Sequence, residues 1–171
     1  VNDVYFVFMI HEKVAAPPRT PRARRRDANV GRILDAATQM VAEEGLAALS
    51  MARLAEAVDY TPGALYRYFE SKEALVNALY REEKQRFAAQ VIEDFPATLT
   101  AREQFRTLWM RMAKFAAGNS QTLVFLELHH HARYLDAESH AVEQRMLELF
   151  TNIVLSAQAR GELKSCLLYT S

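Results

Sequence analysis

From residue 27 to residue 161, apolar side chains recur at steps of three and four, the period of a helix with one buried face. Val30, Ile33, Leu34, Ala37, Met40 and Val41 mark the first such face, and Glu43-Glu44-Gly45 closes it, Gly being suited to a left-handed cap. Ser50 is a good N-cap for a short helix with Met51, Leu54, Ala55 and Val58 facing inward. Thr61-Pro62 predicts the next start, with Thr as cap and Pro at the first helical position; Leu65, Tyr68 and Phe69 supply its apolar side. Ser71 caps a long fourth helix carrying Leu75, Val76, Leu79, Phe87 and Val91, which is expected to end near Phe95-Pro96. Thr100 and Glu103 have the spacing of a capping box, opening a helix with Phe105, Leu108, Trp109, Met112 and Phe115 on one side and a break at Gly118-Asn119. A sixth helix is expected from Thr122 to Tyr134. Asp136 caps a seventh, striped by Val142, Met146, Leu149, Phe150, Ile153 and Val154 and ended by Gly161. No strand pattern and no internal repeat interrupts the series. The expected fold is all-α: a three-helix N-terminal unit followed by a C-terminal helical unit.

Composition narrows the picture only in places. The chain has 171 residues, half of them hydrophobic, which suffices for a small domain sharing a core with a larger one. Five Gly and five Pro are too few for a many-turned β protein. Basic and acidic residues balance at 21 each, so net charge names no partner. Their distribution says more: Arg19, Arg22, Arg24, Arg25 and Arg26 fall within eight positions with no acid among them, a tract that favours a polyanion. A single Cys, Cys166, excludes a disulfide framework and fits a reducing cytoplasm, the expected location. No apolar run approaches the roughly 20 residues of a membrane span, so no membrane partner is expected. Val4 to Ile10 is apolar but short and makes a poor signal peptide.

These signals divide the chain into four parts. Residues 1–26 are expected to be a disordered or non-native extension with a basic arm, Met9 being a natural start. Residues 27–72 form the first helical unit and residues 73–164 the second. Residues 165–171 are expected to be a tail derived from a sequencing adapter, which Cys166 to Ser171 match when read back through the genetic code, with the gene cut at about Lys164. Cys166 is given no function.

Ser50 to Phe69 has the parts of a helix-turn-helix. Two short helices are joined by a tight turn, and small residues stand where the second helix would meet a DNA groove. Leu54, Ala55, Val58 and Leu65 lock the pair, and Asp59 tolerates the left-handed backbone that the turn needs. Pro62, Gly63 and Ala64 let the backbone approach base edges closely. Tyr66 faces the same way with a hydroxyl for a phosphate, and Lys72 lies in a first helical turn, where backbone N–H groups also favour phosphate.

The run Leu-Ala-Glu-Ala-Val-Asp-Tyr-Thr-Pro-Gly-Ala-Leu-Tyr-Arg-Tyr-Phe-Glu-Ser-Lys-Glu-Ala-Leu, residues 54–75, resembles the TetR family of transcriptional regulators. The resemblance covers residues 27–80, and its one departure is Asp59 where the family usually has Gly. It implies that Ser50 touches phosphate, that Thr61, Pro62, Gly63 and Ala64 begin the recognition helix, and that Tyr66 and Lys72 anchor the DNA backbone. Arg53 and Arg67 are further candidate phosphate contacts. The recognition helix offers no Arg, Asn or Gln at its leading positions, so specificity is expected from thymine methyls and DNA shape, with the arginine arm reaching a minor groove. The implied function is a repressor bound to a palindromic operator in double-stranded DNA, homodimeric at full length and released by a small-molecule effector.

Phe105, Trp109, Met112 and Phe125, with His129 and His130, are the candidate effector pocket, being large and polarizable as an apolar ligand requires. The alternative is a metal-binding helical enzyme or sensor built on Glu127 and His129 to His131, with His140 nearby. Three consecutive His point in three directions and cannot share one ion, so no metal is expected, and no cofactor. An enzyme would need a nucleophile–base pair or converging carboxylates, and no such motif is present.

Overall fold

The structure, a computed structural model, describes residues 20–127 and 134–164. Those residues form seven α-helices and no strand: α1 (Pro21–Glu44), α2 (Met51–Ala57), α3 (Pro62–Leu65), α4 (Lys72–Ile92), α5 (Ala101–Gly118), α6 (Ser120–Glu127) and α7 (Ala137–Ala159), with a 3-10 turn at Leu46–Ala48. The cap signals explain most of these boundaries. The side chains of Ser50, Thr61, Ser71, Thr100 and Asp136 each accept a hydrogen bond from the backbone N–H three residues on, and Thr100 with Glu103 completes the capping box. Gly45 (φ 81°) ends α1, and Gly161 (φ 73°) follows α7.

Two expected boundaries move, and a third falls outside the described residues. α1 begins six residues before position 27, because Thr20 caps Ala23 and Pro21 takes the first helical position, the same pairing that starts α3. Arg22, Arg24, Arg25 and Arg26 are therefore helical and not an extended arm; Arg19 lies outside the described residues. α4 stops at Ile92 instead of Phe95, because Asp94 turns left-handed (φ 50°) and Arg111 of α5 donates to the carbonyls of Val91 and Glu93 at 3.2 and 2.6 Å. α6 is described as far as Glu127, so the expected continuation to Tyr134 falls outside the described residues.

The hydrophobic core has two parts, and α4 belongs to both. The first joins Ile33, Leu34, Ala37 and Val41 of α1, Leu54 and Leu65 of the short helices, and Leu75, Val76, Leu79 and Tyr80 of α4. Phe125 and Leu126 of α6 close it. The second joins Ala88, Val91 and Ile92 of α4 to Leu108, Phe115, Met146 and Leu149. An expected division at residue 72 would cut the first core from the α4 residues that complete it. A 21-residue helix is about 30 Å long, so α4 is a rigid strut joining the two units.

A polar knot fixes α7 to this strut. The Asn77 side chain, 3% exposed, donates to the carbonyls of Glu73 (2.9 Å) and Tyr134 (2.6 Å). Its oxygen accepts from the Asp136 N–H and the Ser139 hydroxyl, both at 2.8 Å. Arg81 adds an ion pair to Asp136 at 3.0 Å. The Ser139 backbone N–H, helped by Arg81, holds the Asp136 carboxyl below the usual aspartate range. A depressed folded value means that this stabilisation is complete above the unfolded aspartate pKa of about 3.9 and is lost as pH falls through the folded value. Asp136→Asn keeps a good N-cap but carries no charge. Its stability is expected to lie below that of the parent at neutral pH and to converge with it in acid, in urea melts from about pH 6 to pH 3. A constant gap across that range would contradict the assignment.

Candidate nucleic-acid interface

α2, the turn and α3 are shaped by which residues must be buried. Leu54, Ala55 and Leu65 are fully buried, and Met51 and Val58 nearly so, which seats both short helices against α1 and α4. Between them Asp59 takes the left-handed conformation (φ 57°), as its place in the motif requires, and Tyr60 N–H returns to the Ala55 carbonyl at 2.8 Å. Thr61 caps α3 by accepting from Ala64 N–H at 3.2 Å. This leaves Thr61, Pro62 and Gly63 exposed and Ala64 half-buried, a small uncharged tip backed by buried Leu65. Nothing lies within 4 Å of where a Cβ on Gly63 would stand, so the tip is open to solvent.

The candidate phosphate contacts separate into two groups. Tyr66 is 49% exposed beside the tip, Arg67 is exposed, and Lys72 is half-exposed in the first turn of α4. Ser50 is half-buried and spends one lone pair on its cap to Arg53 N–H. Arg53 is already engaged: its guanidinium meets Glu44 at 2.6 Å and the Ala48 carbonyl at 3.2 Å. The hydrogen bond from Arg53 lowers the Glu44 pKa, and the same bond raises that of Arg53. Arg53 thus braces the end of α1 against α2 and is not a free phosphate arm.

Sequence reasoning missed an aromatic seam beside the tip. Tyr60 and Tyr68 stack with centroids 5.8 Å apart, and Arg26 of α1 stands 5.7 Å over the Tyr68 ring. Asn29 donates to the Tyr68 hydroxyl at 2.9 Å, and a hydrogen bond with Tyr68 pushes the Tyr60 pKa up. The signal was two tyrosines bracketing α3 eight residues apart, and because α3 runs only from Pro62 to Leu65 no single helix carries both.

The described candidate effector residues are not brought into one enclosed space. On α5 the inward side is Gln104, Leu108, Arg111 and Phe115, while Phe105 (67% exposed), Trp109 (60%) and Met112 (36%) lie about 100° further round. The expected single apolar side is therefore two stripes, of which one packs. Phe105 and Trp109 stack on each other at 6.2 Å. Phe125 is only 2% exposed, inside the first core. His129, His130 and His131 lie outside the described residues. Glu127, the carboxylate of the metal alternative, pairs with Lys84 at 3.2 Å, and His140 lies 3.9 Å from Glu143. Among the described residues no three metal-ligating side chains come together, and no helix is long and apolar enough to cross a membrane.

Residues 33–79 match the family model for bacterial regulatory proteins of the tetR family, and residues 80–167 match that for the tetracyclin repressor-like C-terminal domain. The two matches meet within α4, where the two cores also meet. Among curated proteins, the fatty acid metabolism regulator protein of Bacillus subtilis (strain 168) is 25% identical over 134 residues, 77% of this chain and 69% of its own length. An HTH-type transcriptional regulator of Haemophilus influenzae is 32% identical over 91 residues, 53% of this chain and 49% of its own. This chain thus spans between half and seven-tenths of the length of these two relatives. Among solved structures, a TetR family regulator from Marinobacter aquaeolei VT8 superimposes with a TM-score of 0.67 at 24% identity, over 80% of this chain and 72% of the other. FadR from Bacillus subtilis, solved in complex with stearoyl-CoA, does so with a TM-score of 0.66 at 24% identity, over 80% and 75%.

Proposed function

We propose, from the premise that this chain belongs to the TetR family of bacterial transcriptional regulators, that it is an operator-binding repressor released by a small apolar effector. The observation that carries the DNA-binding half is the α3 tip. Thr61, Pro62 and Gly63 are exposed, uncharged and small, and they are held on a buried Leu65 with Tyr66 and Lys72 flanking them. A tip of this kind fits the floor of a major groove while its flanks neutralise phosphates. A homodimer would place two such tips in successive grooves of a palindromic site.

The sensing half rests on likeness. One relative is named a fatty acid metabolism regulator, and one structural neighbour holds stearoyl-CoA. We carry over from these an effector with a long acyl chain. Phe105, Trp109 and Met112 offer polarizable apolar surface of the sort such a chain takes, whereas buried Phe125 belongs to the coupling. Phe125 and Leu126 sit in the helix-turn-helix core, so an effector that displaced α6 would disturb the seating of α3, a shift between two populations.

The test is fluorescence anisotropy on duplexes selected from a random pool by the protein itself, with and without long-chain acyl-CoA. Tyr66→Phe and Lys72→Ala are expected to weaken binding to every duplex alike, and Lys72→Ala is expected to make the salt dependence shallower by about 0.9 for each bound protomer. Acyl-CoA is expected to release the DNA. Unchanged affinity in both variants would remove the placement of α3 in the groove; failure of acyl-CoA alone would remove only the effector class.

A further inference from the structure

We infer that the first three turns of α1 form a second DNA-binding surface, a helical ridge of arginines that grips the phosphate backbone beside the groove entered by α3. The inference rests on the DNA-binding half of the function proposed above. It adds a site to that reading and changes how the basic tract works: as a rigid flank continuous with the helix-turn-helix, not as a loose arm.

Positions 22, 25, 26, 29 and 32 of a helix fall within an arc of roughly 120°. In this chain they are Arg22, Arg25, Arg26, Asn29 and Arg32. Arg24 and Asp27 lie outside that arc. The arc borders the buried stripe of Ile33, Leu34 and Ala37, so the ridge runs along the edge where α1 meets the helix-turn-helix. All four arginines of the arc are exposed.

Three contacts fix which way the ridge faces. Arg26 lies over the Tyr68 ring, Asn29 bonds the Tyr68 hydroxyl, and Tyr68 stacks on Tyr60. Tyr60 immediately precedes Thr61, the cap of α3, and feels the charge of Arg32. The amino-terminal turns of α1 are thereby held on the flank of the α3 tip. A duplex seated on that tip would meet Arg22 and Arg25 next.

Electrostatics point the same way. α1 has no acidic residue in its first turn and carries arginines there, charges of the sign that a helix amino end disfavours. A polyanion laid across the ridge reverses the balance, pairing each guanidinium with phosphate oxygens and releasing counterions. Backbone contacts of this type carry no sequence information, so the ridge would raise affinity without changing which operator is preferred.

The double variant Arg22→Gln/Arg25→Gln tests this, since Gln keeps a good helix former at both exposed positions. Anisotropy would be measured between about 50 and 200 mM salt, on a selected duplex with long flanks and on the same duplex trimmed to the α3 contacts. On the long duplex the variant is expected to show a log K against log salt slope shallower by about 1.8 for each bound protomer, with an unchanged ratio of selected to random DNA. Trimming is expected to make the parent as shallow as the variant. A folded variant with the parental slope on the long duplex would overturn the ridge while leaving the α3 assignment intact. A parent that binds no duplex would overturn both. A selective loss on the selected sequence would also overturn the inference, because it would make the arginines base readers.

Discussion

Asn77→Ala is expected to cost the fold about 2–4 kcal/mol and to lower the melting temperature by roughly 10 °C. The bonds to the Tyr134 carbonyl and from the Asp136 N–H are lost, and the Ser139 hydroxyl loses its bond to Asn77 while keeping Arg81. Asn77 is 3% exposed and Ser139 is fully buried, whereas Tyr134 is half-buried and Asp136 exposed, so the Ser139 hydroxyl is the group that water cannot replace a partner for unless the start of α7 moves. Each unmet buried group costs about 1–3 kcal/mol, against about 1 kcal/mol for a typical hydrogen bond kept. The Asn77→Asp variant separates chemistry from shape. It keeps the acceptor for Asp136 and Ser139 but removes the donor to Tyr134 and adds a charge beside Asp136. Its loss is expected to be similar, and larger at neutral pH than in acid. An unfolding free energy for Asn77→Ala within 1 kcal/mol of the parent, from denaturant melts, would show that the knot is incidental to the fold.

The same knot marks where the sequence stops being legible. Asn77 lies 62 positions from Ser139, and no local pattern joins an Asn in the middle of α4 to a Ser in the first turn of α7. Signals that act within four residues were readable: the caps at Ser50, Thr61, Ser71, Thr100 and Asp136, the left-handed Asp59 and the terminating glycines. Signals that depend on a distant partner were not. On α5 both apolar stripes obey helical spacing, so periodicity alone could not choose between them. The choice falls to Gln104 and Arg111. Gln104 donates to the carbonyls of Ala97 and Leu99, and Arg111 to those that end α4, so the face that carries them must turn inward. That is also why the expected pocket residues Phe105, Trp109 and Met112 lie outside. The start of α1 was written plainly in Thr20-Pro21, but four arginines beyond it hid the apolar face that would have extended the helix.

The two cores give α4 its part in any switch. Its first turns pack with α1 and the short helices, its last turns with α5 and α7, and Phe125 of α6 reaches into the first core. Thr38 of α1 donates to buried Glu83 of α4 at 2.9 Å, and Asp35 pairs with Arg86 at 2.8 Å, so α1 and α4 are tied by polar contacts as well. Among the described residues, a displacement of α6 would therefore pass through packed side chains of the first core toward the seat of α3. That continuity is what the proposed release by an effector requires.

Gly63→Glu is expected to abolish DNA binding, with a loss above 100-fold, while leaving the fold at least as stable as the parent. The two effects come from different properties of one position. A Cβ on Gly63 would meet nothing within 4 Å, and the residue sits inside α3 without a positive φ, so a side chain strains neither packing nor backbone. Replacing a helical Gly by Glu removes a penalty of about 0.5–1 kcal/mol, and a carboxylate near a helix amino end is favourable. Against DNA the same carboxylate is placed where the tip is proposed to touch the groove floor. It would hold the backbone off the base edges and set a negative charge between phosphates, with no buried partner to neutralise it. Gly63→Ala separates size from charge: one methyl on an open tip is expected to cost no more than about tenfold. Thermal melts and anisotropy on the same preparations read both quantities. If Gly63→Glu bound selected duplexes as the parent does, the exposed end of α3 would not be the surface that meets DNA, whatever else in the chain does.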